Sequence, residues 1–210
     1  MEPLTCIEAI AAPLLRGDID TDTIIPSREM KTVSKRGLAK GLFAGWRYSD
    51  VRGRTPDPDF VLNKPDYAGV RILVAGPNFG CGSSREHAVW ALEEYGIRAI
   101  LAPSFARIFF ANCIRNGVLP AVLGDDEIEA LAADLSEPGS DKRLVIDLDR
   151  RTVTTAAGVL YRFALDPRSQ RSLREGKDPI AQTLDYDARI EAFLACDRKR
   201  RPWIYKIARN

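Results

Sequence analysis

Residues 76–88 read GPNFGCGSSREHA, and almost every residue in that run offers either reactivity or backbone freedom. Gly76, Gly80 and Gly82 allow a sharp turn and a close approach to a ligand. Ser83 and Ser84 carry hydroxyls and Cys81 a thiol. Arg85 carries a planar fork of donors that matches a carboxylate or phosphate. A short apolar strand pattern (VRILVAG) precedes the run, and a helical pattern (REHAVWALEEYG) continues from it. Ser83 and Glu86 have capping-box spacing, which predicts Ser83 as N-cap and a helix start near Ser84. Free amides and the helix dipole make such a start an anion site. A cation in the first turn opposes that dipole, so Arg85 makes better sense as a ligand contact than as a helix stabiliser. Spacing alone leaves two readings open: an ordinary Gly-rich turn with its cap, or an anion site carrying hydroxyls.

Several chemistries do not fit. The glycines do not fall as G-x-G-x-x-G, and no Lys-Ser/Thr pair closes the run as in a phosphate loop. G-x-S-x-G spacing is absent, and the chain's one histidine, His87, lies four residues after Ser83 in the same helical pattern. His87 reads as a helix-packing residue. Cys6, Cys81, Cys113 and Cys196 are far apart and form no Cys-x-x-Cys pair. This argues against a zinc site or a complete iron–sulfur ligand set on this chain, so no metal site is expected.

The elements that must hold the run follow from periodicity. Helical spacing of Ala88, Ala91, Leu92 and Tyr95 predicts a helix ended by Gly96. IRAILAPS reads as a strand, FARIFFANCIRNG as a helix, VLPAVL as a strand and DDEIEALAADL as a helix with acids in its first turn. Alternation of this kind over 70–135 predicts a largely parallel sheet. Residues 143–165 read as a meander of two or three strands, with turns near Asp149–Arg150 and Ala157–Gly158. Asp178 to Arg198 reads as one long terminal helix, with Asp178 as N-cap and Pro179 in the first position. Residues 44–66, with Pro56, Pro58 and Pro65, read as an irregular connection. No linker divides the chain, so one domain over 1–210 is expected.

Composition bounds the rest. The 210 residues are 45 % hydrophobic and 29 % charged, enough for a sizeable core. With 31 basic and 29 acidic residues the net charge is +2, which gives no reason to expect nucleic acid or an anionic membrane. The RKRR run at 198–201 reads as a solvated helix end. The first residues, MEPLTCIEAIAAPLL, have no basic leader and are interrupted by Pro3 and Pro13, so they do not read as a signal peptide. No apolar stretch approaches the roughly 18 residues of a membrane span. A cytoplasmic protein with reduced thiols is the expectation.

Five segments in order, DIDTDTIIP (18–26), GLFAGWRY (41–48), PDFVLNKP (58–65), GCGSSREHA (80–88) and SFARIFFANCIRNGVLP (104–120), together resemble the small subunits of 3-isopropylmalate dehydratase. Those chains correspond to the swivelling domain of the aconitase superfamily. The resemblance implies a compact α/β domain with a mixed, partly barrel-like sheet flanked by helices. It implies a hydro-lyase that isomerises a hydroxy-dicarboxylate by dehydration and rehydration, active only with a large partner subunit that carries a [4Fe–4S] cluster. Carried over by motif, Ser83 is the base, Ser84 and Arg85 contact substrate and oxyanion, and Asp22 is an acidic residue near them. Asp22 can also be read as a turn or capping residue, and Cys81 as loop packing. Glu29, Met30 and Lys31 fall in the substrate-selecting loop, with Glu29 where the family carries an aromatic and Met30 where it carries a leucine. That departure keeps two alternatives in view: a hydratase for another hydroxy-dicarboxylate, and a non-catalytic anion-binding module. An RNA-binding role gains nothing from the charge.

Overall fold

The computed structural model describes residues 1–30, 34–83 and 85–205. The elements run β1 (Cys6–Leu14), α1 (Thr21–Ile24), α2 (Ala44–Arg47), β2 (Tyr48–Asp50), β3 (Thr55–Pro56), β4 (Ile72–Ala75), α3 (Glu86–Tyr95), β5 (Ala99–Ala102), α4 (Arg107–Asn116), β6 (Leu119–Val122) and α5 (Asp125–Ser136). They continue through β7 (Arg143–Asp147), β8 (Thr152–Thr155), β9 (Leu160–Arg162), α6 (Pro167–Glu175), α7 (Pro179–Leu184) and α8 (Asp187–Arg200). The β2–β3 pair is a small separate hairpin in an otherwise irregular connection.

One mixed sheet organises the domain, in the order β6-β5-β4-β1-β7-β8-β9. The β6, β5, β4 and β1 strands are mutually parallel, while β7, β8 and β9 form the antiparallel meander that the turn residues predict. The sheet curls until its two margins meet, where the Ala164 amide, just beyond β9, bonds the Val122 carbonyl of β6 at 2.9 Å. That contact makes the sheet barrel-like, as the resemblance implied.

Both faces of β4, β5 and β6 are covered, so these strands are apolar throughout, yet alternate residues feed different cores. Ile72 and Val74 of β4, with Ala99 and Leu101 of β5, face the core that includes α5 and the meander. Leu73, Ala75, Ile100 and Ala102 face the core under α3 and α4. Full burial of such a side chain contributes about 1.5–3 kcal/mol, so this alternation fixes the register.

Two expectations change. Periodicity did not mark β1, yet β1 is the strand that joins the parallel and antiparallel halves. Its sequence, CIEAIAAPL, is alanine-rich and holds Pro13, which is disfavoured inside a sheet. The predicted single terminal helix is two, α7 and α8. Asp178 does cap α7, accepting from the Ala181 amide at 2.7 Å, with Pro179 first in the helix. The chain then bends where the Lys177 ammonium holds Asp185 at 2.7 Å.

Candidate functional site

The site forms where three neighbouring parallel strands end. In parallel sheets, loops at the carboxyl ends of the strands gather at one edge. Here β1 runs into 18–22, β4 into 77–85 and β5 into 103–107. The loops continue the pairing of their strands. The Asp18 amide bonds the Pro77 carbonyl at 2.9 Å, Gly80 bonds Ile19 at 2.7 Å, and Thr21 bonds Cys81 at 3.0 Å. On the other side Phe79 bonds Ser104 and Ala106 bonds Phe79, each at 3.0 Å. Gly80 adopts φ 77°, and a Cβ there would lie 2.1 Å from the Phe109 ring, so only glycine lets the turn pass beneath α4.

The turn differs from its sequence reading in one respect. Ser83 is not the N-cap, and the Ser83–Glu86 capping box does not form. The α3 helix begins at Glu86, and Arg85 occupies the N-cap position with extended backbone (φ −132°, ψ 112°) and no side-chain cap bond. Arg85 is therefore ahead of the first turn rather than in it. Two contacts explain the shift. The buried Thr21 hydroxyl donates to the Ser83 carbonyl at 2.5 Å, pinning Ser83 to the β1 loop. The Glu86 carboxylate accepts from Asn116 of α4 at 3.1 Å and is drawn away from the cap. Ser83 is left exposed beside a helix start that has no side-chain cap among the described residues.

Arg85 and Asp22, 63 positions apart, meet at 2.5 Å. Ser27 bridges them, donating to Asp22 at 3.0 Å and lying 2.9 Å from the same guanidinium nitrogen. The Asp22 side chain is 50 % exposed and that of Arg85 25 %. Solvent screening limits such a pair to about 1 kcal/mol, so it orients Arg85 without locking it. Asp22 is thus an ion-pair partner within α1, whereas the capping role there belongs to Asp20, which accepts from the Thr23 amide at 2.6 Å.

Two hollows adjoin this junction. One, of about 470 Å³, is lined by Asp20, Asp22, Ser27 and Arg28 with Trp46. The other, of about 220 Å³, lies between the 80–85 turn and the start of α4 and includes Arg85, Arg107 and Asn112.

Cys81 packs the turn. Burial, reinforced by the charges of Asp18 and Asp20, pushes its thiol up and keeps it protonated. Burial raises the thiol of the fully enclosed Cys113 well above its ordinary value. Cys6 and Cys196 are exposed elsewhere. Among the described residues no three His, Cys, Asp or Glu side chains converge on a metal-sized space, so these residues do not fit a cluster. His87 is half-buried and packs on Trp90, ring centroids 4.8 Å apart.

The selecting loop is placed differently from its sequence reading. The Glu29 carboxylate pairs with Arg54 at 2.8 Å, and Arg28 stands off at 3.9 Å. Donating to the Glu29 carboxylate raises the Arg54 pKa. Glu29 does not line either hollow beside Arg85. Met30 packs against the core under α3 rather than into a hollow. Lys31 and Ser84 lie outside the described residues. Sequence reasoning missed Thr21, Ser27, Arg54 and Glu94. The Glu94 carboxylate accepts from the amides of Gly37, Leu38 and Ala39 at 2.6–2.8 Å, tethering the far end of the selecting loop to α3. Thr21 and Ser27 lie in or directly after DIDTDTIIP, a signal that could have marked them. Arg54 and Glu94 carry no local signal.

Residues 1–126 match the family model described as the aconitase C-terminal domain. The chain is 57 % identical over 205 residues to a 3-isopropylmalate dehydratase small subunit of Cupriavidus necator, covering 98 % of this chain and 99 % of that one. It is 45 % identical to the same subunit of Roseobacter denitrificans, covering 97 % and 100 %. A crystal structure of 3-isopropylmalate dehydratase from Methanocaldococcus jannaschii superposes with a TM-score of 0.64 at 29 % identity, covering 89 % of this chain and 98 % of that one.

Proposed function

The chain belongs to the family of 3-isopropylmalate dehydratase small subunits, hydro-lyase subunits of the aconitase superfamily that serve leucine biosynthesis, and from that premise we propose how its residues act. We infer that residues 1–210 work as one swivelling domain that closes over a large partner subunit. That subunit is the proposed carrier of a [4Fe–4S] cluster, since this chain's cysteines do not fit one. The substrates are 2- and 3-isopropylmalate, and the compartment is the cytoplasm.

Ser83 is the proposed base. As an alkoxide it takes a proton from a substrate carbon and becomes a neutral hydroxyl. Loss of the hydroxyl from the adjacent carbon lies with the partner chain. Rehydration reverses the proton step with the substrate carbons exchanged. A serine hydroxyl is a weak acid, so the anion needs support. The start of α3, without a side-chain cap among the described residues, supplies amides and the positive end of a dipole. Arg85 supplies a guanidinium that binds a substrate carboxylate. Ser84 is proposed to contact the same substrate.

The observation that carries this reading is the junction of Asp22 and Arg85 beside an exposed Ser83 released from any capping role. Asp22 and Ser27 hold Arg85 in place through contacts weak enough to yield to a substrate carboxylate. Glu29, neutralised by Arg54, leaves the loop able to accept an apolar substituent. An unpaired carboxylate beside an isopropyl group would be costly to desolvate. The fit to isopropylmalate therefore needs no aromatic at position 29. Met30 and Lys31 are proposed to contribute to substrate specificity.

Assembly tests the reading. The purified chain alone should not convert 3-isopropylmalate, and adding the large subunit prepared under anaerobic conditions should give turnover. Turnover of another hydroxy-dicarboxylate in preference to isopropylmalate would favour the paralogue reading. No turnover of any hydroxy-dicarboxylate by an intact complex would favour the binding-module reading.

A further inference from the structure

We propose that the hollow between the 80–85 turn and the start of α4 is a carboxylate subsite built by Arg107, Asn112 and the first-turn amides of α4. It deepens the reading above and rests on it for the identity of the substrate, a branched hydroxy-dicarboxylate.

The topology is the first argument. Loops of β1 and β4 bring Asp22 and Arg85 together. The adjacent loop, after β5, is clamped to the same turn by the Phe79–Ser104 and Ala106–Phe79 bonds. That loop delivers the start of α4 to the same edge of the sheet. Arg107 thus belongs to the set of residues that the parallel strands gather, although nothing in the reaction as derived so far uses it.

The donors are the second argument. The α4 helix is ten residues long and has no side-chain cap at Ala106. The first amide to bond back is that of Phe110, to the Ala106 carbonyl at 2.9 Å. The amides of residues 107–109 therefore have no backbone acceptor among the described residues, and all three residues line the hollow. Arg107 is exposed and makes no ion pair among the described residues.

Asn112 is the third argument and is independent of the helix end. It is only 6 % exposed, it lines the hollow, and among the described residues its carboxamide has no hydrogen-bond partner. The bond it does make uses its backbone carbonyl, which accepts from Asn116 at 2.9 Å. A ligand oxygen in the hollow would give this carboxamide the acceptor it lacks among the described residues.

Charge and size choose the ligand. This hollow holds two arginines and no acid, whereas the larger hollow holds Asp20 and Asp22 with a single arginine. A dianionic substrate is repelled by the second and attracted by the first. About 220 Å³ is below the usual range of whole small-molecule pockets, roughly 300–1,000 Å³, so it takes one carboxylate end of the substrate. Ile108, 56 % exposed at its rim, offers apolar surface to a branched alkyl group.

Steady-state kinetics of the assembled two-subunit enzyme test this directly. Arg107→Gln should raise KM for 3-isopropylmalate about tenfold or more and leave kcat within about threefold, the signature of lost ground-state binding. Arg107→Lys should recover part of the loss. Asn112→Asp should raise KM further, since it sets a like charge against the substrate. A second readout uses the full small chain alone, titrated with malonate and followed by amide resonances. Shifts should centre on residues 107–109 and the Asn112 side chain, and Arg107→Gln should reduce them. Unchanged KM in Arg107→Gln, in a complex that turns over isopropylmalate, overturns the subsite and leaves the function standing. Malonate shifts confined to Ser27, Arg28 and Asp22 overturn it as well. If the wild-type complex does not act on isopropylmalate, the functional reading fails, and the malonate titration still decides the subsite.

Discussion

The two halves of the sheet contribute to the molecule in different ways. The parallel half, β6-β5-β4-β1, ends its strands at one edge and gathers there Asp22, Ser83, Arg85 and Arg107 from loops distant in sequence. The antiparallel half, β7–β9, reverses direction at each tight turn, so its loops divide between opposite edges and assemble no comparable cluster. Its residues fill a core and bring Ala164 back to Val122 to curl the sheet. A site needs several loops at one edge, and parallel strands supply them because every crossover returns the chain to the same end.

The contrast breaks most severely at Arg85. In the assembled enzyme Arg85→Gln should lower kcat/KM about 10²- to 10³-fold, comparable to removing a preorganised donor from an oxyanion site. Its melting temperature should stay near wild type, because the Asp22 pair is half-exposed. The opposite pattern is expected in the other half. Leu144 of β7 is fully buried, and Leu144→Ala should cost about 2–5 kcal/mol by denaturant unfolding. Turnover per folded molecule, measured well below the melting point, should be unchanged. Equal losses of activity from the two variants would erase the distinction between the halves.

A smaller effect sharpens the picture at the selecting loop. Burial opposes ionisation of Glu94, but the three amide bonds outweigh it and lower its pKa. A carboxylate with a depressed folded pKa adds stability above its unfolded pKa, and that contribution disappears as pH falls through the folded value. Glu94→Gln should therefore cost about 1 kcal/mol at pH 7, with the difference from wild type fading below about pH 4. Denaturant midpoints across that range measure it. A difference that is constant with pH would mean the tether is steric and not ionic.

Much of the fold is legible in the sequence. The alternation over 70–135 and the turns at Asp149–Arg150 and Ala157–Gly158 are local signals, and the structure follows them. The β1 strand is not legible in this way, because CIEAIAAPL owes its strand state to β4 and β7 on either side and not to its own propensity. The site divides similarly. Gly80, Ser83 and Arg85 stand out because glycines, hydroxyls and a cation crowd one strand–helix turn, although glycine and serine are each common there. The capping box was a false local signal, since Thr21 and Asn116, distant in sequence, compete for the same groups and prevail. Glu29 misleads for the same reason, because its partner Arg54 is 25 positions away.

The central claim is that Ser83 acts as a base and not as a structural cap. Ser83→Gly in the assembled enzyme tests it most directly, with kcat, large-subunit retention and melting temperature measured on one preparation. The side chain of Ser83 caps nothing, so its removal should change stability by no more than a few tenths of a kcal/mol. Turnover should fall about 10²-fold or more, as expected when a positioned proton acceptor is lost. A Ser83→Gly enzyme that retains its partner and turns over isopropylmalate at near wild-type rate would contradict the account.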